Sequence, residues 1–392
     1  MTWGLLRTDC LTQEVSGMRR RTFVASGLGL VAAAASEGLV GTFKGAGLRA
    51  QPAVALAAQG NPAGPPLGKW IRLAPFPRAT GELLGAAING KLYAAQGLLP
   101  GFKPAGLVYE YDPARDAWTE KKPMPHPVHH AAVTALNGKM YLFGGFDLPT
   151  AGPPGWNPVN DAWEYDPATD GWRALAPMPT TRGGGVAAVV GGKVYVIGGA
   201  GPMPDASTPV IRPRQPQRSL GNVEEYDPAT NKWRARAPMP TPCNHMGGEA
   251  VNGKIYVIGG RLSGAFIIGF PGNINLVQAY DPAADSWATK TPMPTARSGF
   301  NTAALNGIIY AAGGEVQNGS YLAAFRAFEA YDPASDTWWQ LPSMLLPRHE
   351  AIMAVLGNRI HIAGGSVQSA IVPLPKGLSF DTDAHEAFEV AP

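Results

Sequence analysis

Arg182, Arg297 and Arg348 occupy one position of a segment that recurs six times in this 392-residue chain. Glu82, His130, His245 and Glu350 occupy the position two residues further on. The segments align on Pro123-Met124-Pro125, Pro177-Met178-Pro179, Pro238-Met239-Pro240 and Pro292-Met293-Pro294, with Pro75-Phe76-Pro77 and Pro342-Ser343-Met344 as looser relatives. An arginine grips a carboxylate or sulfate in two-pronged fashion. Glutamate and histidine together move protons near neutral pH. Strand alternation would put the two columns on one side of the chain, so the arginines are candidate substrate-binding groups and the Glu and His residues candidate catalytic ones. A structural reading stands beside this one, in which arginine and glutamate of adjacent units satisfy each other. A metal centre is not expected. His129 and His130 are neighbours that would point to opposite faces of a strand, and His130, His245 and Glu82 lie in separate units. No phosphate loop, nucleophile elbow or cofactor motif is present, so no cofactor is expected.

The elements that must position these residues repeat as well. Tyr-Asp-Pro with a Trp seven residues after the Tyr occurs at Tyr111/Trp118, Tyr165/Trp172, Tyr226/Trp233, Tyr280/Trp287 and Tyr331/Trp338. Apolar strands ending in Gly precede each one, and a sixth, Ile360–Gly365, follows the last. The unit containing Tyr226 reads as four strands: Gly185–Val190, Lys193–Ile197, Asn222–Tyr226 and Trp233–Ala235. Gly191-Gly192 makes the first hairpin turn, and a Pro-containing turn joins the last two strands. Units of about 50 residues with four strands and a recurrent Trp are the mark of a β-propeller.

From Trp70 to the C-terminus these units closely resemble the kelch repeat. The resemblance implies an all-β, six-bladed propeller in residues 69–392. The last unit has Phe388 in the Tyr column but no Trp, while Trp70-Ile71-Arg72-Leu73 is a spare fourth strand at the front. The N-terminal strand should therefore pair with Glu386–Val390 and close the ring. In such a fold the Arg and Glu/His columns lie around the mouth of the central channel. The loops Phe146–Asp161, Ala200–Gly221, Arg261–Asn275 and Ser366–Asp383 emerge on the same face.

Composition agrees with that class. Gly and Pro number 49 and 38, which leaves little room for long helices, and 45% apolar residues argue against disorder. Two cysteines, Cys10 and Cys243, make no disulfide framework. The first 57 residues hold six bases and three acids, and the remainder is balanced at 26 of each. A neutral body lacks the positive field that nucleic-acid binding requires. Arg20-Arg21 before the small, apolar stretch Ala25–Ala35 resembles a twin-arginine export signal. Ala55-Leu56-Ala57 is the expected cleavage site, and residues 58–68 read as a linker. The expected location is periplasmic or extracellular, with no membrane span after processing.

Two functions from different classes fit. One is a binding module that presents its loop face to a ligand, either an acidic carbohydrate or an envelope protein. The other is an isomerase. Exported bacterial kelch propellers include the sialic acid mutarotases, and the resemblance implies an acidic sugar held by Arg182, Arg297 and Arg348 beside Glu82, His130, His245 and Glu350.

Overall fold

Two-residue turns set the inner hairpin of every blade. Asn89-Gly90, Asn137-Gly138, Gly191-Gly192, Asn252-Gly253 and Asn306-Gly307 carry positive φ at both positions, the geometry of a type I′ turn. In the last blade only Gly357 of Gly357-Asn358 is left-handed, as in a type II′ turn. The computed structural model describes residues 64–391 apart from 100–102, 154, 214, 267–271, 318–321 and 370–379. The export segment and most of the linker lie outside the described residues.

Six four-stranded antiparallel sheets follow from these hairpins. The blades begin with inner strands Gly81–Ile88, Ala132–Leu136, Val186–Val190, Gly247–Val251, Asn301–Leu305 and Ile352–Leu356. These six neighbour one another in ring order, the last lying beside the first. Blade 3 continues through Lys193–Ile197, Val223–Asp227 and Lys232–Arg236, within two residues of the bounds expected from sequence.

The closing blade joins the two ends of the propeller. Gly68–Arg72 pairs antiparallel with His385–Val390, and Trp70 stands opposite Phe388. Elsewhere the facing pair is Tyr opposite Trp, as in Tyr226 and Trp233. The closure is thus the one expected, with the spare Trp filling the gap in the sixth blade.

Repeated residues bolt each blade to the one before it. Trp118, Trp172, Trp233, Trp287 and Trp338 donate their indole N–H to the carbonyls of Ala74, Lys122, Ala176, Ala237 and Thr291. Trp70 makes the same bond to Pro342 at 2.8 Å. The hydroxyls of Tyr111, Tyr165, Tyr226, Tyr280 and Tyr331 each donate to an Asp or Asn five residues on. That acceptor also takes a backbone N–H from the segment leading into its blade, for example Ala74 N–H to Asp116 at 2.9 Å. Phe388 has no hydroxyl, so the sixth blade lacks this second bolt. Met124, Met178, Met239, Met293 and Met344 fill the seams between sheets, with buried Phe76 in the Met place of the first.

Removing the ring of Trp70 should therefore open the closing seam. Trp70→Ala is expected to cost about 3–5 kcal/mol, the range for a large aromatic packed on Phe328 and Phe388. Chemical denaturation of the variant would read this, and an unchanged midpoint would place the closure elsewhere.

Candidate functional site

The column of Glu82, His130, Gly184, His245, Gly299 and Glu350 forms a ring of left-handed backbone. Its six φ values lie between 47° and 69°. Glycine adopts this conformation freely, while other L-residues meet the clash of Cβ with the carbonyl, at roughly 1–2 kcal/mol each. A chain of backbone hydrogen bonds holds the ring. Gly184 N–H donates to His130 C=O, His245 to Gly184 and Gly299 to His245, each at 2.8 Å. Glu350 N–H donates to Gly299 C=O at 2.7 Å, and Leu83 N–H to Glu350 C=O at 3.0 Å. Between blades 1 and 2, the Gln96 amide spans both backbone groups of Ala131 instead.

Because these residues are not in strand conformation, the alternation used above fails at this point. The arginine and Glu/His columns do not share a side. Arg182, Arg297 and Arg348 turn away from the axis and are buried inside their own blades. Arg182 pairs with Glu224 at 3.1 Å, Arg297 with Glu329 and Arg348 with Glu386. Terminal N–H groups of the three also donate to the carbonyls of Val196, Ala311 and Ala384, while each Nε is buried without a hydrogen-bond partner. None of the three forks is left to grip an anion in the channel mouth, so their assignment to substrate is corrected. The structural reading holds in altered form, since the partners lie within a blade rather than across two. A signal for it exists in the repeat. Units with Arg in this column have Glu two residues before the Tyr or Phe, namely Glu224, Glu329 and Glu386. Units with Thr80, Val128 or Cys243 there have Tyr109, Trp163 or Gln278.

Glu82, His130, His245 and Glu350 do come together. His130 Nε2 lies 3.0 Å from Glu82 and 3.4 Å from Glu350, and His245 Nε2 lies 3.7 Å from Glu350. The rings of His130 and His245 are 4.8 Å apart. Both histidine side chains are almost wholly buried. Burial and the neighbouring Glu350 raise the Glu82 carboxyl well above the usual carboxylate range. Burial works the same way on Glu350, but His130 and the hydrogen bond from Glu82 outweigh it and hold Glu350 well below that range. Burial would lower His130, but the two carboxylates raise it to about 10. His245 is lowered well below its ordinary value, by burial and then by Arg261. The surroundings thus favour the charged forms of His130 and Glu350 and the neutral forms of Glu82 and His245.

One ring nitrogen from each of His130 and His245 and one Glu350 oxygen lie within 4.8 Å of one another, close enough to hold a metal ion. The set expected to fail from sequence was His130, His245 and Glu82. It is Glu350 that completes the convergent trio.

Two further layers escaped the sequence reading. Arg261 and Glu315 each follow a Gly-Gly pair and form a buried ion pair at 2.7 Å. The Arg261 Nε–H also donates to Asn244 Oδ1, the atom that faces His245 Nδ1 at 2.5 Å. Trp156, on the long loop of blade 2, packs 4.9 Å from His130 and 4.1 Å from Phe266 of blade 4. With Phe146, Ile211 and Ala265 they make an apolar cap from three loops. Within the segment Ala200–Gly221, Ile211 is buried in this cap. From the ring, a channel of about 370 Å³ runs along the inner strands, lined by Thr134, Glu249 and Asn301 among others. Burial pushes the Glu249 carboxyl up to about 8.

Comparison with known proteins places this architecture. Residues 103–370 match the family model of the Attractin/LZTR1 beta-propeller. Kelch-like protein terF of Aspergillus terreus is 30% identical over 322 residues, covering 79% of this chain and 67% of the relative. Alpha-scruin of Limulus polyphemus is 27% identical over 261 residues, 66% of this chain but 27% of its own length. Kelch-like protein 25 of Xenopus tropicalis is also 27% identical over 261 residues, and the chain spans 40% of it. The solved structure of YjhT superposes with a TM-score of 0.63 at 20% identity, covering 80% of this chain and 95% of that one.

Proposed function

The chain belongs to the kelch-type β-propellers, and from that premise we propose that it is an exported ligand-binding module whose site is the Glu82/His130/His245/Glu350 ring at the head of the channel. One observation carries the reading. Four of six equivalent positions accept backbone strain that the other two avoid with glycine, and all four bring ionisable side chains to one point. Strain retained in this way is a mark of a functional site. The ligand it suits is small and polar, since the space is a channel of a few hundred cubic ångströms and the ring offers both donors and acceptors. A thermal-shift screen of sugars and small acids tests this. A true ligand should raise the melting temperature of the parent and not of His130→Gly, and equal shifts in both would put the site elsewhere.

A second reading treats the ring as an acid–base machine that interconverts sugar anomers. Glu82 and Glu350 flank His130, so a base and an acid stand within one cluster. One would take the anomeric O–H proton while the other protonates the ring oxygen as the C–O bond opens. Readdition to either face of the carbonyl then restores the ring. A carboxylated sugar such as sialic acid would find Arg182, Arg297 and Arg348 already engaged, which weakens that substrate. NMR exchange between anomers tests it directly, and rates equal to buffer alone would remove the reading.

Export rests on Arg20-Arg21 and the apolar run behind them. Changing both to Lys should leave unprocessed protein in the cytoplasm. Mature protein found outside would count against a twin-arginine route.

A further inference from the structure

We propose that His130, His245 and Glu350 form a binding site for one divalent first-row transition ion, such as Zn²⁺ or Fe²⁺, on the propeller axis. The proposal uses the ring already described but does not depend on what ligand the channel takes. The three residues come from blades 2, 4 and 6, so they approach the axis from alternating directions, about a third of a turn apart. Two imidazoles and a carboxylate suit borderline divalent ions and leave coordination positions open. The ligating atoms are already within 4.8 Å of one another. Small side-chain rotations would bring them to bonding distance of one ion.

Two observations independent of this grouping point to a ligand. His245 Nε2 is buried and has no hydrogen-bond partner. Its tautomer is fixed from behind. The Asn244 amide nitrogen donates to Ser219 Oγ and Ser263 C=O, so its Oδ1 must be the atom that accepts from His245 Nδ1–H. That leaves the Nε2 lone pair unprotonated and facing Glu350. A carbonyl-type oxygen on the far nitrogen is how metal-bound histidines are usually oriented. Behind His130 stands a ring nitrogen instead, His129 Nδ1, 2.5 Å from the His130 Nδ1. The other observation is how closely the neighbouring blade seats the His245 ring. A Cβ on Gly184 would come within 2.8 Å of His245 Nδ1, so the glycine in blade 3 seats the imidazole. Glu82 lies beside the trio, 3.0 Å from His130, and would accept a hydrogen bond from water on the ion.

The glycines of blades 3 and 5 supply the test. His245→Gly and Glu350→Gly introduce the residue that the same fold position already carries twice, so both variants should remain folded. Metal-stripped parent protein titrated with ZnCl₂ by calorimetry should bind one equivalent, and each variant should lose at least a hundredfold in affinity. Co²⁺ should give visible ligand-field bands in the parent and not in the variants, while Glu82→Gln keeps them. His245→Gln serves as a second variant if the glycine form melts early. Parent protein that binds no ion, or variants that bind as well as the parent, would overturn the metal site. The ligand screen on stripped protein stands apart from either result, because a ligand bound without metal upholds the channel-head reading alone.

Discussion

Arg297→Ala is expected to lower the stability of the propeller by about 3–5 kcal/mol, because it strands the Glu329 carboxylate in a buried site. That is a large share of the roughly 5–15 kcal/mol a folded domain has in hand. The pair itself is replaceable. Joint substitution by Met and Leu should recover most of the loss, since packed apolar side chains commonly match a buried ion pair. Urea midpoints of the parent, the single variant and the double variant would measure both effects. A single variant within about 1 kcal/mol of the parent would mean that the carboxylate finds water or another partner. Affinity for a channel ligand should be unaffected in whatever fraction remains folded.

The same arginine shows where reading the sequence succeeds and where it stops. Aligning units on Pro-Met-Pro put Arg182, Arg297 and Arg348 in one column and the four Glu and His residues in another, and the structure keeps both groupings. The blades, their turns and the closure by Trp70 were all legible, because each depends on short-range patterns repeated six times. Side-chain direction was not. Alternation assumes extended backbone, and a single left-handed residue per blade turns the chain at just that position. The Arg–Glu pairing within units was present in the text of the repeat but was sought between neighbouring units. Trp156 gave no periodic signal, since its loop differs from blade to blade, and Arg261 sits in a column whose residue type changes with every blade.

Acid should weaken the seam between blades 6 and 1 well before it reaches ordinary carboxylates. His361 and His385 lie there, 3.0 Å apart, with His385 also against the Ala74 carbonyl and the ring of Tyr111. Burial lowers His361 to about 3 and His385 to about 4. Asp116 favours their charged forms, whereas Arg359 and Arg348 oppose them. An unfolded histidine titrates near 6.5. Both folded values lie below this, so the stabilisation is complete above pH 6.5. As the pH falls toward 3, the unfolded chain takes up protons that the fold refuses, and stability drops with it. The loss is about 3–5 kcal/mol for each histidine at the end of that range. His130 is displaced in the opposite sense, and its contribution is full below pH 6.5 and is lost progressively as pH rises from there through 10. Comparing the parent with a His361→Gln/His385→Gln variant cancels that contribution. The variant should show a flatter fall in melting temperature between pH 6.5 and 4. Parallel curves would show that the pair charges without cost.

Closure by the first strand also dictates an order of events in folding. Gly68 pairs with Val390, about 320 residues away in sequence, while every other strand in the blades finds its partner within the same repeat. Joining such distant points costs roughly 4 kcal/mol more in chain entropy than closing a hairpin. Blades 1 to 5 can form as local units, but the sixth must wait for both ends of the ring. The pairing of Trp70 with Phe388 is therefore expected as the last and slowest step of refolding. It would be visible as late protection of the backbone amides of Gly68–Arg72 in pulsed hydrogen exchange. Until that step is complete, the third strand of the sixth blade shows an open edge, and this is when the chain is most exposed to pairing with another copy of itself.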